Sequence, residues 1–307
     1  MSKTVFLFSG QGSQYSGMGK ELTDKYPSLM RIYEAGSDIL GYDLAKISFE
    51  GTDAELAQTK VSQPAIMAVS LCALGAMKEN GIAFSGAAGH SLGEYAAMTA
   101  AEMLSVEDAF KVIKARAEAM QKAAEATDGA MYAIIGKSAE EIEEVCAGID
   151  GYVVPVNYNS TVQTVIAGET AAAEKAAAKF AEMGAKAVKL GVSAAFHSKL
   201  MQPAADEFAE AIKNVSFAAP KCDFFSNVSG GKLDDFTDMP ARLAKHIVSP
   251  VRFTSELAAM QADGYTHFIE LGPNKVLTGL VRKTLNDVEY ANVENAKSLE
   301  KALELFK

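Results

Sequence analysis

Apolar and polar positions alternate in blocks along the chain, and the blocks have two lengths. Short apolar runs bounded by Gly, Ser or Asn read as buried strands, and longer ones at helical spacing read as helices. Thr4 to Phe8 (TVFLF) is the first strand, stopped by Ser9-Gly10. The loop SGQGSQYSGMG follows, with a helix from near Lys20. Ser62 is placed to cap the next helix, with Pro64 in its first turn and AIMAVSLCALGAM behind it. Gly86 to Gly89, then His90 to Tyr95, reads as strand, sharp turn, helix, and AFKVIKARAEAMQKAAE is a further helix.

After Thr127-Asp128-Gly129 the order changes. AMYAIIG is a strand. Ser138 with Glu141 forms a capping box for a helix ending at Gly148. YVVPVNY and TVQTVIAG are strands joined at Asn159-Ser160. TAAAEKAAAKFAEMG is a helix stopped by Gly184, and AKAVKLGV is a strand. The order β-α-β-β-α-β is that of a ferredoxin-like unit. It is placed at residues 128–192 as an insertion in a larger α/β domain made of residues 1–127 and 193–307. That domain resumes with a helix (QPAADEFAEAIKNV), a strand near CDFFSNV and a helix ending before Pro250. The strand THFIELG and a helix from near Lys275 follow. The fold class is therefore α/β, with a central, mostly parallel sheet in the large domain. No 20–50-residue repeat appears.

Composition narrows the function. With 29 basic against 39 acidic residues the net charge is −10, which argues against non-specific binding to nucleic acid or to anionic membranes. The longest nearly unbroken apolar stretch, Ala65 to Met77, is shorter than a bilayer span. MSKTVFLFSG lacks a signal-peptide layout, because its apolar run stops at once in Ser-Gly. Cys72, Cys146 and Cys222 are odd in number and far apart, which fits neither a disulfide framework nor a zinc site. A cytoplasmic protein without a metal is the expectation.

The strongest local signal is Gly89-His90-Ser91-Leu92-Gly93, a G-x-S-x-G nucleophile elbow between strand and helix. Such a turn aims the serine hydroxyl into a cleft, and the helix behind it offers backbone N–H groups to a developing oxyanion. A serine nucleophile needs a base, and the chain has four histidines. His90 is adjacent to Ser91, and neighbouring side chains diverge in such a turn. His267 lies in a strand and reads as structural. His246 lies on a helix and is expected in an exposed or half-buried surface role. His197, in SAAFHSKLM, lies between a strand end and a helix start, where α/β folds carry catalytic groups. The orienting acid of a full triad is not evident. Asp128 and Asp150 have the right order but read as turn residues, and a backbone carbonyl is the alternative. The glycine loop at Gly10 and Gly12 is not a nucleotide fingerprint. Tyr15 stands where the third glycine would be, and Gly19-Lys20 is followed by Glu21 rather than Ser or Thr. The loop can instead bring a backbone N–H beside Ser91.

GQGSQ at Gly10 to Gln14, GHSLGE at Gly89 to Glu94, Arg116 in KARAEAMQ, VNYNS at Val156 to Ser160, AFH at Ala195 to His197 and ELGPNKVLTGL at Glu270 to Leu280 occur in that order. Together they resemble the malonyl-CoA:acyl-carrier-protein transacylase family of bacterial type II fatty-acid synthesis, over nearly the whole chain. The resemblance implies a hydrolase-like large domain and a ping-pong reaction through a malonyl-serine. It implies Ser91 as nucleophile and His197 as base, the latter held by main-chain carbonyls. It also implies the backbone N–H groups of Gln11 and Leu92 as oxyanion hole. Arg116 would hold the free carboxylate of malonyl through two parallel hydrogen bonds. The family's usual Arg-Gly is Arg116-Ala117 here. Asn159 and Gln163 match positions near the substrate entrance, and Phe196 matches the pattern associated with malonyl over branched extender units. Arg252 stands where some members have glutamine; the resemblance carries over only its backbone carbonyl, and its side chain is left unassigned.

The same resemblance implies acyl-carrier protein as partner, malonyl-CoA as substrate, no cofactor and a monomer. An acidic carrier docking on an acidic chain needs a local basic patch, for which Lys186, Lys189, Lys199, Arg252, Lys275, Arg282 and Lys283 are candidates. The rival readings are a serine thioesterase with the same elbow, which has no need of Arg116, and a silent interaction subunit. An acyltransferase serving a polyketide synthase would share the chemistry.

Overall fold

The computed structural model describes residues 3–306. Its strands are β1 (Lys3–Phe8), β2 (Gly86–Gly89), β3 (Ala130–Ile135), β4 (Val153–Ser160), β5 (Gln163–Gly168), β6 (Lys186–Lys189), β7 (Asp223–Ser226), β8 (Gly231–Lys232), β9 (Tyr265–Leu271) and β10 (Glu289–Val293). They form two sheets. The larger has the order β10-β9-β1-β2-β7-β8, parallel except for the β7–β8 pair. β1 lies at its centre, and Val5 to Phe8 are all but inaccessible to solvent. That explains its unbroken apolar run, since a parallel strand covered on both faces has no polar side.

The smaller sheet has the order β4-β5-β3-β6 and is antiparallel throughout. Two helices, Ala139–Ala147 and Thr170–Glu182, cover one face. The pleat divides β3 between two cores. Ala130 and Ile134 pack with Ile142, Ile166 and Phe180 beneath those helices. Met131 and Ala133 turn the other way and join the core of the larger body. The capping box at Ser138 and Glu141 and the helix end at Gly148 are as expected. The link between β4 and β5 is Thr161-Val162, not Asn159-Ser160, because the pairing runs on to Ser160↔Gln163.

The helix Thr59–Glu79 starts one turn earlier than expected. Ser62 is therefore inside it rather than at its cap, and Pro64 is interior. The proline ring removes the N–H that Lys60 C=O would have accepted. Tyr42 Oη donates to that carbonyl instead, at 3.5 Å. At 21 residues this helix reaches the length and apolarity of a membrane span, but 89% of its apolar window is buried inside the protein. It is a core helix, and the 13-residue run from Ala65 to Met77 is its most apolar part.

Candidate active site

β2 ends at Gly89 and the helix Gly93–Ala100 begins four residues later, so Ser91 occupies the turn between them. Both glycines of the motif have a steric reason. A Cβ on Gly89 would lie 2.0 Å from the carbonyl carbon of Gly93, and one on Gly93 would lie 2.1 Å from the carbonyl oxygen of Phe8. Strand, turn and helix are in backbone contact there. Ser91 adopts φ 54°, a left-handed conformation that only an over-determined turn sustains in a serine.

The loop after β6 carries His197, also left-handed at φ 62°. Ser91 Oγ and His197 Nε2 are 2.8 Å apart. On the other side of the ring, Nδ1 faces two backbone carbonyls, His246 O and Ser249 O, each at 3.1 Å. Carbonyls only accept, so Nδ1 carries the proton and Nε2 is bare. Ser91 Oγ–H therefore donates to Nε2, the arrangement a general base needs. Among the described residues no carboxylate bonds to His197. Asp128 accepts from Thr170 Oγ1, and Asp150 is fully exposed. Nor is the orienting carbonyl that of Arg252, whose guanidinium lies over the Tyr158 ring. Burial, reinforced by the Arg116 charge, holds the His197 pKa down at about 3, so the imidazole is neutral across the physiological range.

Arg116 projects from the helix Val106–Ala126 and is wholly buried. Its Nη1 donates to Gln63 Oε1 at 2.8 Å and its Nη2 to Ser91 Oγ at 3.0 Å, while Nε has no partner. The guanidinium carbon is 5.4 Å from the Tyr95 ring centre. Among the described residues no carboxylate pairs with it at salt-bridge distance. A buried cation beside a serine hydroxyl, with no carboxylate paired to it among the described residues, is chemically suited to receive an anionic group.

Ser91 and His197 open into a cleft of 370 Å³ between the two sheets, lined among others by Gln11, Met131, Asn157 and Phe196, and the buried Arg116 reaches it only through its bond to Ser91 Oγ. Gln11 and Gly12 of the glycine loop line the same cleft as Ser91. Neither the Gln11 nor the Leu92 backbone N–H donates to another group among the described residues. Asn159 reaches the site only through His90, with Oδ1 2.8 Å from the ring Nε2. Gln163 is half-buried at the start of β5, outside the cleft lining, where Asn157 stands instead. His246 is the clearest correction. It is only 1% exposed, because it lies on the inner side of the helix Met239–Ile247 and packs beneath the elbow. His267 lies in β9, as expected.

The profile of the acyl transferase domain matches residues 5–302. The chain belongs to that family. As an acyl transferase domain it is 39% identical over 311 residues to the malonyl CoA-acyl carrier protein transacylase of Bacillus subtilis strain 168, covering 100% of this chain and 98% of the relative. The Escherichia coli K12 protein of the same name is 36% identical, over 99% of this chain and 100% of its own. Among solved structures, the transacylase of Clostridium perfringens superposes with a TM-score of 0.95 at 36% identity, covering 99% and 97% of the two chains. A malonyl-transacylase solved in complex with a holo type II PKS acyl-carrier protein superposes with a TM-score of 0.94, also at 36% identity, covering 99% and 100%.

Sequence reasoning missed Gln63, Tyr95 and Asn227. Gln63 had a faint signal, a polar residue just before an apolar run. Asn227 had none.

Proposed function

We propose that this acyl transferase domain moves the malonyl group from malonyl-CoA to the phosphopantetheine thiol of an acyl-carrier protein, through a malonyl-serine. The observation that carries the reading is the buried Arg116, without a salt-bridge partner among the described residues, 3.0 Å from a serine that is itself 2.8 Å from a neutral imidazole. An esterase site has no use for that cation. The names of the transacylase relatives point to the same substrate pair.

Ser91 Oγ attacks the thioester carbonyl while His197 Nε2 takes its proton. The Gln11 and Leu92 N–H groups, with the helix N-terminus at Gly93, receive the oxyanion. The C–S bond breaks, and the CoA sulfur leaves with the proton from His197. The carrier thiol then gives its proton to His197 and attacks the malonyl ester, the ester C–O bond breaks, and Ser91 Oγ leaves with the proton from His197. Arg116 holds the malonyl carboxylate throughout, with Gln63 holding Arg116. Phe196 narrows the cleft beside the acyl group, and Asn159 and Gln163 belong to the smaller domain near the entrance. No metal or cofactor enters this scheme.

Residues 128–192 form, in this reading, a ferredoxin-like unit inserted in a hydrolase-like domain of residues 1–127 and 193–307. We place the enzyme in the cytoplasm, as a monomer feeding fatty-acid synthesis. Lys189, which lines the cleft and is paired on the surface with Glu174 at 3.4 Å, is one cation an acidic carrier would meet.

Intact-protein mass spectrometry after brief mixing with malonyl-CoA, then with holo carrier, tests the proposal. One malonyl adduct, absent in Ser91→Ala and passed to the carrier, is expected. Loss of the adduct to free malonate regardless of carrier would point to a thioesterase. A full adduct on Ser91→Ala would remove Ser91 from the mechanism.

A further inference from the structure

Behind the elbow lies a buried polar cluster that this mechanism does not use. Its centre is Asn227, which follows β7 and is inaccessible to solvent. Its Oδ1 accepts from the Ser91 backbone N–H at 2.7 Å and lies 3.2 Å from His246 Nε2. Its Nδ2 donates to Gly89 O at 2.7 Å and to Glu256 Oε1 at 2.6 Å. Its own N–H donates to Glu94 Oε1, and its C=O accepts from Arg252 N. The orientation of the amide is settled by its backbone partners, since the Ser91 N–H can only donate and Gly89 O can only accept. Oδ1 then faces His246 Nε2, which must carry a proton and donate.

Two consequences follow from these bonds. Nδ2 and Oδ1 bind the residue before and the residue after His90, so one side chain clamps the turn that keeps Ser91 left-handed. The same oxygen also holds the ring of His246, whose C=O is one of the two carbonyls that orient His197. Ser91 and His197 are 106 positions apart in the chain, and Asn227 is 136 positions beyond Ser91. A closed ring results: Ser91 N–H to Asn227, Asn227 to His246, His246 C=O to His197, and His197 back to Ser91 Oγ.

We propose that Asn227 is the positioning residue of the dyad, its side-chain oxygen setting Ser91 and His197 at their working separation. The inference rests on the reading of Ser91 and His197 given above. Asn227 touches neither substrate nor reacting atoms, so its loss is felt in the chemical step and not in binding.

The test is single-turnover malonyl-enzyme formation in Asn227→Ala, with circular dichroism measuring the folded fraction. Misplacement of a catalytic pair by about 1 Å costs about 10²-fold. A fall of about that size in the acylation rate at saturating malonyl-CoA is expected, with KM changed by less than about threefold. Asn227→Asp supplies the rescue. Buried between Glu94 and Glu256 and beside His246, the new carboxyl takes up a proton and can both accept and donate, as the amide does. It should recover at least about tenfold of the loss. If the alanine variant does not fold, Asn227→Ser, whose hydroxyl is too short to reach Ser91 N–H, carries the same expectation. Folded N227A acylating within about threefold of the parent rate overturns the inference, as does N227D no faster than N227A. If Ser91→Ala, run in parallel, forms no adduct while N227A acylates normally, this inference alone fails. A full adduct on Ser91→Ala overturns it together with the dyad.

Discussion

Arg116→Ala separates the reading of a carboxylate from general support of the site. The wild-type guanidinium is fully buried, spends two donors on Gln63 and Ser91, and has Nε free. A malonyl carboxylate entering the site meets a desolvated cation that no carboxylate among the described residues pairs with at salt-bridge distance. Truncating one partner of such a buried charge pair costs about 2–5 kcal/mol. At about 1.36 kcal/mol per decade, kcat/KM for malonyl transfer should fall by about 30- to 5,000-fold. An acetyl group lacks the carboxylate and leaves the cation unpaired, so its transfer should hold or rise. The assay is kcat/KM for malonyl-CoA and acetyl-CoA with the same holo carrier, with thermal unfolding as a control for folding. The malonyl-to-acetyl ratio is the quantity to compare, because any loss of folded enzyme cancels in it. Equal losses for the two substrates would refute the reasoning and make Arg116 a structural cation.

Two further outcomes follow from the geometry. His197 is held at about 3 by burial and then by the Arg116 charge, so kcat/KM for acylation should show no acid limb near the ordinary histidine value of 6.5. The protonated ring cannot accept from Ser91, so the limb appears only well below that pH, and in Arg116→Ala it should move up. A wild-type limb between about 6 and 7 would contradict this account of the site. Gly93→Ala places a methyl 2.1 Å from Phe8 O, backbone that cannot rotate away. A loss near the top of the overpacking range, about 3 kcal/mol, and of malonyl-enzyme formation is expected; an unchanged Tm with full acylation would sink it.

The sequence by itself determined the elements whose causes are local. The run TVFLF, the cap at Ser138 and the stops at Gly148 and Gly184 are short-range facts and stand where they were read. The elbow was legible for the same reason, since a strand, a tight turn and a helix need small residues at fixed spacing. Elimination among four histidines points to His197, and the structure puts its Nε2 2.8 Å from Ser91 Oγ. Errors arose where a distant partner decides. Pro64 looks like a first-turn proline until Tyr42 is seen satisfying the carbonyl it frees. His246 looks like a surface residue until the helix packs under the elbow, where its ring meets Asn227 and its carbonyl meets His197. Only the tertiary structure decided that no carboxylate among the described residues forms a salt bridge with Arg116, that Asn157 rather than Gln163 lines the cleft, and that Asn227 lies behind the serine. Hydrogen bonds of this kind join residues more than a hundred positions apart. They leave no periodicity for a reader of the chain to find, because the groups they join share a site but not a segment.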